Sequence, residues 1–145
     1  MIKDSGERRE FSTGAVRDMQ EGKGRCDLIP TQVLHQLLED NIVSCVSDFM
    51  QTRNTKYLYR ALTTFSVAFY DNIPTMFLEV SKHFEEGAKK YGENNWQKGL
   101  PVSCYMDSAL RHYLKYIRGD KDEPHDRAFC WNLICCIWEV DYHHD

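Results

Sequence analysis

The run 125-HDRAFCWNLICCIWEVDY-142 most constrains what this chain can fold into. Its apolar residues fall at nearly every position rather than on one stripe, so a helix built from it has no face suited to water. Such a helix belongs at the centre, and the rest of the chain must cover it. Four covering helices can be read upstream. From Pro30-Thr31, Leu34, Leu38, Ile42, Cys45 and Phe49 share one face, and after the polar break at 52–55, Leu58, Leu62, Phe65 and Phe69 repeat the spacing. Pro74 suits the first turn of a third helix carrying Phe77, Val80, Phe84 and Ala88. A fourth buries Met106, Leu110, Tyr113, Leu114 and Ile117 and ends at Gly119. The expected fold is mainly α: one domain over 1–145, with a compact bundle of about five helices over 31–142.

Ahead of the bundle lies 11-FSTGAVRDMQEGKGRCDLIP-30, with Gly14, Gly22 and Gly24. It reads as a short β-hairpin or extended arm turning at QEGKG. Residues 1–10 are strongly charged and are expected to be mobile. A formal net charge of −4 argues against coating a nucleic acid polymer, so any nucleotide contact must come from a local basic cluster. The six cysteines form no C-x-x-C pair and three sit in the central run, which is buried thiol usage rather than a disulfide frame or zinc site. No apolar stretch approaches the ~20 residues of a membrane span and the start lacks a secretory h-region, so the expected setting is cytoplasmic, without a membrane partner.

Several side chains could carry chemistry. Glu79, His83, Glu86 and Lys90 fall on one helical stripe, which could hold a divalent cation or could be a solvated charged face. Asp107, Asp120, Asp122, Glu123 and Asp126 add acids near a helix N-terminus, where solvation and the helix dipole also suit them. His83, His112, His125-Asp126 and Asp141 follow the loose order of an HD-type phosphohydrolase, while His143-His144 reads as a frayed end. Asn132, inside the central run, needs a partner and is expected to orient a neighbour such as His112.

The cations point elsewhere. Arg111, Lys115 and Arg118 share a stripe, and Arg127 sits in a first helical turn, where the dipole does not favour it. Either an anionic ligand or a salt bridge to Asp122 or Glu123 would account for it. Arg17, Lys23 and Arg25 add three positive charges to the glycine-rich arm, a setting that suits phosphate without being a Walker loop. Asn-Asn-Trp at 94–96 offers amides that can pair with an adenine edge, and Phe84 or Trp96 can stack on a base. Phe84 equally continues an apolar stripe.

In combination, GAKKYG with NW, RHYLK, and PHDRA with WN resemble a phage-associated family labelled the N-terminal domain of dATP/dGTP diphosphohydrolases. The likeness runs over nearly the whole chain after about residue 11. Within that family the chain is most similar to the first described class of Thoeris anti-defence proteins, sponges for glycocyclic ADP-ribose (gcADPR), the messenger made by bacterial TIR-domain proteins. The resemblance implies that Phe84 stacks on the adenine, Asn94 contacts the nucleotide, and Arg111 and Arg127 hold the diphosphate. It implies a non-catalytic protein without cofactor or metal, encoded by a phage or prophage and acting in the host cytoplasm. It also implies homo-oligomers built from dimers, a hexamer among them, and in some members a separate site for cyclic oligonucleotides. The competing expectation is a Mg²⁺-dependent, MazG-like dNTP diphosphohydrolase using Glu79, Glu86, Asp122 and Asp126. Against it, the E-x-x-E and E-x-x-D helices of such enzymes become Glu79-x-x-Lys82 and Glu139-Val140-Asp141 here.

Overall fold

The structure, a computed structural model, describes residues 7–18 and 20–143. Strands β1 (Arg8–Glu10) and β2 (Val16–Asp18) are followed by helices α1 (Thr31–Leu38), α2 (Asn41–Thr52), α3 (Lys56–Phe69), α4 (Ile73–Tyr91), α5 (Val102–Arg118) and α6 (His125–Asp141). Single 3₁₀ turns lie at Cys26–Leu28 and Asn95–Gln97. The fold is helical, as the periodicity requires, and α6 is its centre. It packs against α5, α4 and α3 and buries Phe129, Cys130, Leu133, Cys135 and Cys136 completely. All six cysteines are free thiols, and burial pushes Cys136 up to about 12, so the interior ones stay protonated. Among the described residues no helix is long and apolar enough to cross a membrane.

Two local expectations are corrected. The hairpin turns at residues 11–15, not at QEGKG: Phe11 N–H donates to Ala15 O at 3.0 Å and Gly14 N–H to Phe11 O at 2.9 Å. Gly14, at φ 88°, supplies the left-handed residue that so tight a reversal needs. Arg8–Glu10 therefore belong to a strand, while the expected mobility of 1–6 falls outside the described residues.

The second concerns one helix boundary: the described residues form six helices where about five were expected, because the first expected helix is two. Residues 31–52 keep one apolar periodicity, yet Glu39 turns left-handed at φ 51° and closes α1. Asp40 then starts α2, its Oδ1 accepting from Ile42 N–H at 2.8 Å and Val43 N–H at 3.2 Å. Its Oδ2 accepts from the buried Tyr113 hydroxyl at 2.5 Å, tying α2 to α5. Asp40→Ala should therefore cost about 2 kcal/mol, the sum of a lost cap and a stranded hydroxyl. Urea titration checks this; a change within ~0.5 kcal/mol, the ordinary surface range, would refute the dual role.

Spacing also assigns too much to the core. Phe69, Phe77 and Ile117 remain exposed, Phe77 by 47 %, because only the flank of each outer helix turned toward α6 is covered. His143 is ordered rather than frayed, stacking on Trp138 at 5.4 Å and pairing with Glu139. His144 lies outside the described residues.

Candidate functional site

The arm folds back over α4, α5 and α6 and is fastened there by amides, carbonyls and one carboxylate. The Asn95 side chain accepts from Val16 N–H and donates to Val16 O, both at 2.8 Å, as a third strand would. Thr13 Oγ1 donates to Gly99 O at 2.5 Å, and Cys26 N–H donates to Asp107 Oδ1 at 2.7 Å. Arg111 bridges the two layers, donating to Gly24 O at 2.8 Å and to Asp107 Oδ2. Beneath this roof is a cavity of about 470 Å³, a volume in the range of small-ligand sites.

One side of the cavity is aromatic. Phe84 meets Trp96 edge-on at 5.5 Å and Trp131 at 5.9 Å, and Tyr91 lies beyond them. Gly87 and Ala88 keep the α4 wall low. Gly87 sits in mid-helix, where glycine costs roughly 0.5–1 kcal/mol relative to alanine. A Cβ at that position would meet nothing within 4 Å, so the space it leaves is open cavity rather than packing space.

The other side is cationic. Arg9, Arg17, Lys23, Arg111 and Lys115 line it, against the carboxylates of Asp18, Asp107 and Glu123. Arg9 and Arg17 are register partners across the hairpin, so two like charges project from directly opposite positions onto one face. Arg17 reaches furthest in, donating to Ser108 Oγ at 2.8 Å and Asn132 Oδ1 at 2.9 Å, with its guanidinium over Tyr105 and Trp131. All these groups are neutral. Burial pushes the Arg17 pKa down from its ordinary value, and no carboxylate among the described residues hydrogen-bonds it. Arg9 has a buried Nε with no hydrogen-bond acceptor.

Of the residues expected to touch a ligand, Phe84, Trp96, Arg17, Lys23 and Arg111 all line this cavity, with Lys23 paired to Asp18 at 2.8 Å. Arg25, Asn94 and Arg127 do not line it. Arg25 is fully engaged with Asp27 at 2.7 and 2.8 Å. Asn94 is exposed, while its neighbour Asn95 faces the arm. Arg127 is buried and pairs with Glu86, rather than with Asp122 or Glu123. Asn132 serves Arg17 instead of His112. Arg9, Trp131 and Gly87 also line the cavity and are not distinguishable as lining residues from sequence, since strand register and cavity depth leave no one-dimensional trace.

The α4 stripe is therefore mixed. Glu79 is half-buried beside Lys82, whereas His83 is buried against Trp131. Burial first, and then Arg127, push the His83 pKa down to about 4. The unfolded chain takes up this proton near pH 6.5 and the folded protein only near 4. Stability should thus be full above about 6.5 and fall by roughly 1.4 kcal/mol per unit as pH drops through that window. Denaturant midpoints at pH 7, 6 and 5 test this, and His83→Phe should flatten the slope; an unchanged slope in that variant would sink the assignment.

The expected Mg²⁺ acids do not converge. Glu79 is bonded to Lys82, Glu86 to Arg127, Asp122 to His125 and Asp126 to the Tyr70 hydroxyl. Neither group of described residues whose ligand atoms come close enough to share an ion includes Glu79, Glu86 or Asp126. The HD-type order fails similarly, because Asp126 turns to Tyr70 and Asp141 to Thr55.

Residues 51–144 match the family described as dATP/dGTP diphosphohydrolase, N-terminal. The chain belongs to this family. Comparison with curated proteins and with solved structures gives no match. The matched residues span α3 to α6 and carry the aromatic wall, Arg111 and Lys115. Arg9, Arg17 and Lys23, on the arm, lie outside the match.

Proposed function

We propose that the cavity binds a purine nucleotide through its phosphates, and that the protein captures a cyclic ADP-ribose-type messenger such as gcADPR without cleaving it. One observation carries the binding claim: Arg9 and Arg17 are paired side by side across the two strands, both line the aromatic cavity, and neither has a carboxylate partner among the described residues. Opposed cations on a two-stranded ribbon are unfavourable alone and favourable around a diphosphate, which arginine grips in a bidentate way. The base then lies against Phe84, Trp96 and Trp131, at ~1–3 kcal/mol of stacking. Capture without hydrolysis is supported by the dispersal of Glu79, Glu86, Asp122 and Asp126 into separate ion pairs and hydrogen bonds. In this reading the protein is a phage inhibitor of Thoeris defence, acts in the host cytoplasm and assembles from dimers.

The second reading is hydrolysis of dATP or dGTP, and the family match favours it. One experiment separates the two. The protein is incubated with gcADPR, filtered, heat-denatured and the released ligand analysed, while parallel samples receive dATP or dGTP with Mg²⁺ or Mn²⁺. Intact messenger released in stoichiometric amount supports capture. Pyrophosphate release from the deoxynucleotides, or failure to retain gcADPR, overturns it.

A further inference from the structure

We propose that His112, Glu123 and His125 form a binding site for one borderline divalent ion of the zinc type, at the α5–α6 end of the cavity. Their ligand atoms lie within 4.8 Å of one another. Two imidazoles and a carboxylate are a set that zinc accepts with a fourth position left open, whereas Mg²⁺ prefers oxygen ligands throughout. His112 and Glu123 both line the cavity, which gives an ion a path to the otherwise buried His125.

Hydrogen bonding already sets one ligand correctly. Asp122 Oδ1 is 2.8 Å from His125 Nε2, and a carboxylate can only accept, so the ring proton sits on Nε2. The lone pair of His125 Nδ1 therefore points at His112 Nδ1, 2.9 Å away. A carboxylate behind a histidine is the usual device for fixing the tautomer of a metal ligand. Without metal, His112 must donate its own Nδ1 proton across that gap. With metal, the proton moves to His112 Nε2, both Nδ1 lone pairs face the ion, and no net charge change is needed at either ring. The neighbouring trio Asp120, Asp122 and His125 is less suited, because Arg118 grips Asp120 and His125 Nε2 already serves Asp122. The alternative for the histidine pair is a plain buried hydrogen bond, which would have no metal affinity.

The test uses the full chain without nucleotide, so it succeeds or fails independently of what the cavity holds. Calorimetry with Zn²⁺ and absorbance with Co²⁺ should show one equivalent bound, with the visible spectrum of four-coordinate cobalt and no thiolate charge-transfer band. Glu123→Gln lies in the loop before α6 and spares the core. It should weaken binding at least tenfold, and Asp122→Asn by roughly 10–100-fold through His125. ¹⁵N spectra should show the His112 proton shifting from Nδ1 to Nε2 on zinc addition. Binding of less than one equivalent, a thiolate band, or affinity unchanged in Glu123→Gln while circular dichroism shows a native fold, would each overturn the site.

Discussion

Arg17→Met should weaken nucleotide binding by roughly 30- to 150-fold, the ~2–3 kcal/mol of a charge-assisted contact in a water-poor site, while leaving the protein folded. The stability half of this expectation is as informative as the binding half. Among the described residues Arg17 donates only to Ser108 and Asn132 and has no carboxylate partner. Removing it strands two acceptors but also relieves a half-buried cation and its opposition to Arg9. These effects oppose each other, so the melting temperature should move by only a few degrees either way, about 1 kcal/mol for a domain of this size. Titration calorimetry with gcADPR, alongside thermal melting, reads both. Retained affinity would remove the phosphate assignment, and a collapse in stability would make Arg17 a structural residue.

Gly87→Leu should act from the opposite wall and by a different cause. Its backbone is helical and its Cβ direction opens on the cavity, so the side chain would fill ligand space without meeting protein. Binding should fall at least tenfold, since a base displaced from Phe84 and Trp131 loses stacking of ~1–3 kcal/mol. Stability should rise, because leaving glycine in mid-helix gains roughly 0.5–1 kcal/mol. Gly87→Ala provides the control, with the same gain and only one added carbon. A Leu variant that binds normally would show that the ligand lies elsewhere; one that loses stability would show that the wall is packed.

Arg127 and Asn94 illustrate how much of the site sequence leaves open. Both have the right chemistry and both stand on or beside elements that form the cavity. Yet Arg127 turns inward to Glu86, and the polar contact to the arm belongs to Asn95, one residue on. A shift of one position in a 3₁₀ turn changes which side chain faces the arm, and no periodicity marks it. Asp40 shows the same limit for the fold. The apolar stripe continues through residues 34–49, but a carboxylate that bonds two backbone N–H groups makes the chain restart its helix there.

What the sequence determined was the class and the centre: helical spacing is a relation between residues three and four apart, and the run at 125–142 leaves no polar face to expose. It also supplied the pool of cations and aromatics. Only the tertiary structure decided which of them are spent on one another. Glu86 and Arg127 are 41 residues apart, and Arg17 and Asn132 are 115 apart. Whether an arginine ends beside a carboxylate or beside an amide depends on how the arm lands on the bundle. That landing leaves Arg9 and Arg17 without a carboxylate partner among the described residues, and the proposal of a phosphate ligand rests on this charge rather than on any motif.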